Sequence, residues 1–181
     1  MQHLTFRIGG WKLVLGVSQI QEIVHSYQIT PLPRTPDELE GVVNLRGYYL
    51  PVLSLKRRIR QSESETTPEA LSEESVIQDS VSRQCILVTE SIYEDRAWRL
   101  GLEVDEVHDC IDINDDLWRL PPTRGNAIST EFLSAMVNLD GVTFHKLNLD
   151  TVIDPDDILE RYYHGVQGSH EPNRLVTRAN G

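Results

Sequence analysis

The fifteen residues from Gly41 to Leu55 constrain the fold more than any other stretch of this chain. They read Gly-Val-Val-Asn-Leu-Arg-Gly-Tyr-Tyr-Leu-Pro-Val-Leu-Ser-Leu. Val42 and Val43, then Leu50, Val52, Leu53 and Leu55, are apolar residues of strand type. Gly41 and Gly47 mark where a strand must begin or bend sharply. The stretch therefore predicts two short strands around a tight turn. Pro51 cannot donate to a ladder, which predicts an edge strand or a bulge there. Arg46 is the only charge in the stretch. A lone arginine in a half-buried hairpin needs a carboxylate partner or a route to water.

The rest of the chain repeats this grammar. Leu4, Phe6 and Ile8 alternate, Gly9-Gly10 is a hairpin turn, and residues 11–17 form the returning strand. Ser18 with Gln21 reads as a helix cap, and the spacing of Ile20, Ile23 and Val24 predicts a short helix over 19–24. Pro31, Pro33 and Pro36 predict an extended loop. Residues 37–40 read as one helical turn. Cys85–Thr89 is a buried-strand run. Trp98, Leu100, Leu102 and Val104 alternate, with Gly101 on the opposite face. Val107–Ile113 continues as a bent strand. Residues 132–139, the Asp140-Gly141 turn and the run Val142 to Leu149 make a closing hairpin. Asp150-Thr151 caps a helix reaching about Tyr163. His145-Lys146 breaks the alternation of the last strand and marks a bulge or an inward turn.

Many short strands with few helices describe a mainly β protein built of two small barrels, each of about five strands. Residues 1–61 read as the first barrel, with residues 4–8 able to join the second. Residues 84–163 read as the second barrel with a C-terminal helix, and 164–181 as a disordered tail. Between the barrels, residues 62–82 hold six acids, no lysine or arginine, and no aromatics. Such a segment cannot bury enough apolar area to offset its ordering entropy, and 62–83 reads as a flexible acidic insertion.

The net charge of −11 argues against nucleic acid and anionic membranes as partners. No apolar run approaches the roughly 18–20 residues of a membrane span, and the N-terminus has no signal-peptide core, so a cytoplasmic setting is expected. Cys85 and Cys110, without a close-spaced motif, read as unpaired core residues. The histidines have no metal-ligand spacing, and Asp154-Pro155-Asp156-Asp157 lacks the glycine and terminal glutamate of a calcium loop. It reads instead as a solvated helix start. No metal, cofactor or catalytic residue is expected. The enzymatic reading, a hydrolase using Asp105, Asp109 and a histidine, lacks any nucleophile–base spacing, and Asp105, Glu106 and Asp109 read as a polar strand edge. A self-assembling module using an edge near Pro51 is a further alternative. Two readings of Glu22 and Arg46 stay open. They form an ion pair across the first barrel that shapes a partner groove, or each is a surface charge with a screened neighbour.

Gln21-Glu22-Ile23, Pro33-x-x-Pro36, Gly41-Val-Val-Asn-Leu-Arg-Gly47 and Leu50-Pro-Val-Leu53 together resemble the CheW-like domain of bacterial chemosensory adaptors. Leu102-x-Val104-Asp105-x-Val107, Leu139-Asp140-Gly141 and Leu147-x-Leu149 agree more loosely with its later strands. The resemblance covers about residues 4–160, without the insertion. It implies two SH3-like five-stranded barrels packed together, no catalysis, and two partners. These are the regulatory domain of a CheA-type histidine kinase and the cytoplasmic tip of a methyl-accepting chemoreceptor. A divergent scaffold of a non-flagellar system, such as one controlling pili or surface behaviour, is the alternative. The resemblance places Glu22 and Arg46 as an ion pair at the receptor-binding groove. Ile20, Gly41, Asn44 and Gly47 stand beside them, the two glycines letting a partner helix approach. Ser54 and Asn148 stand where the family usually carries aspartate.

Overall fold

The computed structural model describes residues 1–25, 27–61, 84–93, 96–122 and 128–158. The expectations for the acidic stretch 62–82 and the tail 164–181 lie outside the described residues. Among those described, ten strands form two sheets. One has the order β8-β1-β2-β10-β9, from β1 (Gln2–Ile8), β2 (Trp11–Gly16), β8 (Glu106–Asp112), β9 (Leu133–Leu139) and β10 (Val142–Leu147). The other has the order β3-β6-β7-β5-β4, from β3 (Ile20–His25), β4 (Leu39–Leu45), β5 (Tyr48–Ser54), β6 (Cys85–Tyr93) and β7 (Arg96–Val104).

Each sheet closes in the same way. Past β3, Thr30 exchanges both backbone hydrogen bonds with Val42 of β4, at 2.8 and 2.9 Å. Past β8, Arg119 does the same with Met136 of β9, at 2.8 and 2.7 Å. The chain leaving one edge thus bonds the other edge, which rolls each sheet into a small barrel.

The barrels do not follow the halves of the sequence. The expected first unit, 1–61, gives β1 and β2 to the barrel of β8, β9 and β10, so residues 4–8 do cross over and take their hairpin partner along. The expected second unit, 84–163, gives β6 and β7 to the barrel of β3, β4 and β5. The physical reason lies in the apolar run at the start of β6. Cys85, Ile86, Leu87 and Val88 are all buried, so β6 needs neighbours on both edges and cover on both faces. β3 and β7 supply the edges. Alternation then splits the cover. Leu87 joins Leu53, Leu100 and Leu102 in a core shared with Phe6, Ile8, Leu13 and Leu15 of the other barrel. Ile86 and Val88 join Val43, Leu50 and Val52 in a second core.

Six local expectations are corrected. Residues 20–25 are strand β3, not a helix, after a 3-10 turn over Val17–Gln19. Ile20, Ile23 and Val24 are β-branched, and a ladder from Ile20↔Thr89 to His25↔Cys85 outweighs one short, costly helical nucleus. The capping partner is Gln19, whose side chain accepts the Gly16 N–H at 3.2 Å, and not Gln21. Residues 37–38 form a turn rather than helix, with β4 starting at Leu39. β5 is not an edge strand, since β7 and β4 flank it. Pro51 fits because Val42, its partner, spends both backbone groups on Thr30, and the parallel β5–β7 ladder begins only at Val52. Cys110 is exposed on β8. Cys85 alone is a core thiol, and burial pushes its pKa up to about 11. Finally, the last helix is broken. α2 (Leu149–Val152) starts after Asn148, and a separate helical turn over 155–158 follows, the rest of the expected run to Tyr163 lying outside the described residues. Pro155 disfavours helix at Asp154, whose carboxylate accepts the N–H of Asp156 at 3.0 Å. That is the solvated helix start expected for this acidic run.

The remaining helix, α1 (Leu55–Gln61), follows β5 directly. Ser54 and Asn148 are each the residue before a helix. Exchanging aspartate for serine or asparagine there stays within the residue types that favour caps. The register shift between Lys146 and Leu147 is the irregularity expected in β10.

A buried histidine, His3, and a half-buried one, His145, make stability depend on pH. Burial pushes the pKa of His3 down, helped by the positive charges of Lys146 and the N-terminus. Burial also pushes His145 down, against a contact with the Lys12 carbonyl. A depressed folded pKa means that the unfolded chain takes up protons first. The contribution of the neutral rings is therefore complete above about pH 6.5 and is lost as the pH falls through the folded values. Urea midpoints should be lower at pH 5.5 than at pH 7.5. The doubly substituted His3→Gln, His145→Gln protein should lose less over the same interval, and an equal loss would refute this assignment.

Candidate functional site

Arg46 sits in a two-residue turn between Leu45 and Tyr48, which pair across β4 and β5. Arg46 has φ 49° and Gly47 has φ 94°, the doubly left-handed geometry that matches the twist of a hairpin. Asn44 supports the turn by accepting the Gly47 N–H on its side-chain oxygen at 3.0 Å. The other barrel builds the same device. Asn138 accepts the Gly141 N–H at 3.1 Å, and Asp140 and Gly141 have φ 51° and 83°. The two motifs read Asn-Leu-Arg-Gly and Asn-Leu-Asp-Gly.

The difference between them is informative. Aspartate tolerates a left-handed backbone, whereas arginine there costs about 1–2 kcal/mol. Arg46 reaches Glu22 of β3, with Nη2 at 2.8 Å from the carboxylate. The arginine side chain is 80% exposed and the glutamate 35%. An exposed pair of this kind contributes about 0.2–1 kcal/mol, too little to offset the turn strain. Stability therefore does not account for arginine at position 46. The bridge runs from one edge strand of its sheet to the turn beyond the other, so it lies across the barrel closure.

The other expected residues divide. Asn44 and Gly47 belong to the turn itself. Ile20 lies two residues before Glu22 on β3, half-buried and packed against the shared core, with a register shift between the two. Gly41 does something different from what was expected. At φ 143°, a Cβ on it would sit 2.2 Å from the Thr30 carbonyl oxygen. The close approach it permits is that of the chain's own closing segment, not of a partner. Gly47 has open space at the same position. The acids considered for chemistry have structural employment. Asp105 accepts the Gly9 N–H at 2.6 Å, and Glu106 pairs with Arg7 at 3.2 Å.

Sequence reasoning passed over Arg58. Its side chain is 1% exposed. Its Nε donates to the Val152 carbonyl at 3.1 Å and its Nη2 to that of Thr151 at 3.3 Å. It also pairs with Asp157, stands 3.6 Å from the buried Glu38, and lies over the Phe132 ring at 5.2 Å. The signal was present, because Leu55, Arg58 and Ile59 occupy i, i+3 and i+4 of α1 and Arg58 must share their buried face.

A model of the CheW-like domain matches residues 2–161. The chain is 25% identical over 137 residues to a probable chemotaxis protein CheW of Rhizobium etli, covering 76% of this chain and 77% of that one. It is 23% identical over 154 residues to the chemotaxis protein CheW of Rhizobium meliloti, covering 85% and 88%. The crystal structure of the scaffolding protein TtCheW from Thermoanaerobacter tengcongensis shares the fold, with a TM-score of 0.65, 24% identity, and coverage of 83% and 86%. The match over all ten described strands shows that the chain belongs to the CheW-like domain family.

Proposed function

We propose that this protein is a non-enzymatic adaptor of a chemosensory system, one that holds the cytoplasmic tip of a chemoreceptor to the regulatory domain of a CheA-type histidine kinase. Its relatives are chemotaxis proteins, and the solved neighbour is a scaffolding protein. The single observation carrying the site assignment is the Glu22–Arg46 bridge, a left-handed arginine kept where the matching turn has aspartate. The closed barrels are rigid supports, and a receptor helix lies along the surface that the bridge shapes. Holding kinase and receptor together raises their effective concentration and couples their states. No helix among the described residues is long and apolar enough to cross a membrane. The adaptor works on the cytoplasmic side, where receptor tips project.

Arg46→Glu tests this reading. Affinity for a purified receptor-tip fragment should fall at least tenfold, which is about 1.4 kcal/mol. Circular dichroism should be unchanged and unfolding free energy should move by less than about 1 kcal/mol. The double exchange Glu22→Arg, Arg46→Glu should recover part of the affinity, because it restores the pair. Full binding by correctly folded Arg46→Glu would refute the assignment.

A further inference from the structure

A second groove, sharing no residue with the Glu22–Arg46 bridge, opens between the end of the β6–β7 hairpin and the segment that follows α2. Its volume is about 300 Å³. Ile92, Trp98 and Ile153 give it an apolar lining, and Ile92 is 78% exposed. Asp150, Asp154 and Asp156 stand along the same groove. Asp150 accepts a hydrogen bond from Ser91 at 3.3 Å, which ties the two walls together. Neither Asp150 nor Asp154 has a cationic partner among the described residues.

We propose that this groove docks a segment of a partner protein in which an aliphatic side chain is flanked by lysine or arginine. The apolar lining takes the aliphatic side chain, whose burial is favourable in proportion to the area removed from water. The carboxylates of Asp150 and Asp154 take the flanking cations and select against acidic segments. A second copy of this chain is the wrong occupant on charge grounds, since each copy carries a net charge of −11. Nucleic acid and anionic lipid are repelled for the same reason. The groove adds a docking surface beyond the receptor-side bridge and does not depend on that assignment.

The indole N–H of Trp98 is closed off from solvent and has no acceptor, so its resonance reports the groove. The full chain, labelled with ¹⁵N on its tryptophan indoles, is titrated with a capped lysine–leucine–lysine–lysine–leucine peptide. Its partner control has glutamate for each lysine. The Trp98 resonance, identified by Trp98→Phe, should move saturably with the basic peptide, and the midpoint should rise with salt. In the double variant Ile92→Ser, Asp150→Lys, which alters only exposed side chains, the midpoint should rise at least tenfold while the Trp11 and Trp118 resonances stay in place. Equal binding of the acidic peptide, or an unchanged midpoint in the double variant, would overturn the proposal. A Trp98 shift that follows protein concentration without peptide would assign the groove to a second copy instead. A shift produced without peptide by Arg174→Glu, Arg178→Glu would assign it to the chain's own C-terminal segment. Either result would also overturn the proposal.

Discussion

Arg58→Ala is expected to destabilise the protein by about 3–5 kcal/mol, the usual cost of stranding a buried charge. Two terms oppose each other at this site. Taking a guanidinium out of water costs several kcal/mol, but Arg58 is repaid by two carbonyls, by Asp157 and by nearby Glu38. Removing the side chain removes the repayment and leaves Glu38, itself 1% exposed, beside an empty space. Lysine cannot substitute, because one ammonium cannot span acceptors that a planar fork reaches together. The effect should be global. Arg58 belongs to α1 at the end of β5, whereas Thr151, Val152 and Asp157 belong to the segment that follows β10 of the other barrel. Urea unfolding followed by circular dichroism measures the loss. If charge stranding is the cause, adding Glu38→Gln should recover at least about 1 kcal/mol. A double variant no better than the sum of its singles would show that lost packing against Phe132, and not charge, sets the cost.

Gly41→Ala is expected to cost about 3–5 kcal/mol, near the upper end for a single methyl group. The added carbon would lie 2.2 Å from the Thr30 oxygen and 2.8 Å from the Pro31 Cα, both backbone, so no side chain can rotate away. The closing segment must move, and the two Thr30–Val42 hydrogen bonds that seal the barrel are lost with it. Backbone strain at φ 143° adds about 1–3 kcal/mol. Gly47→Ala is the internal control, because its φ of 94° carries strain but its Cβ meets nothing within 4 Å. It should cost no more than about 1–3 kcal/mol by the same strain term. Hydrogen exchange should show Val42 losing protection in the Gly41 variant and keeping it in the Gly47 variant. Similar costs for the two would mean that strain alone, not the Thr30 contact, explains the glycine at 41.

Strands and turns were legible in the sequence wherever a local rule governs them. Alternation placed β1 and β7, and Gly47 and Asp140-Gly141 placed the two hairpin turns, because side-chain period and turn chemistry are properties of neighbouring residues. The family pattern brought Glu22 and Arg46 together, and they do meet at 2.8 Å. The failures share one cause. Ile20, Ile23 and Val24 fit a helix by spacing, and only β6, more than sixty residues away in sequence, decides for a strand. Arg58 was passed over because its partners Glu38 and Asp157 are far from it in sequence and meet it only in the fold. Gly41 looked like room for a partner until Thr30 filled it.

The sequence by itself determined that the chain is β-rich, where its hairpin turns fall, and that its hairpins carry the family's signature. Only the tertiary structure decided which strands share a barrel. A hairpin's pairing is fixed by residues a few positions apart, at small loop-closure cost. The exchange of β1–β2 for β6–β7 depends on long-range burial of faces that no local window contains.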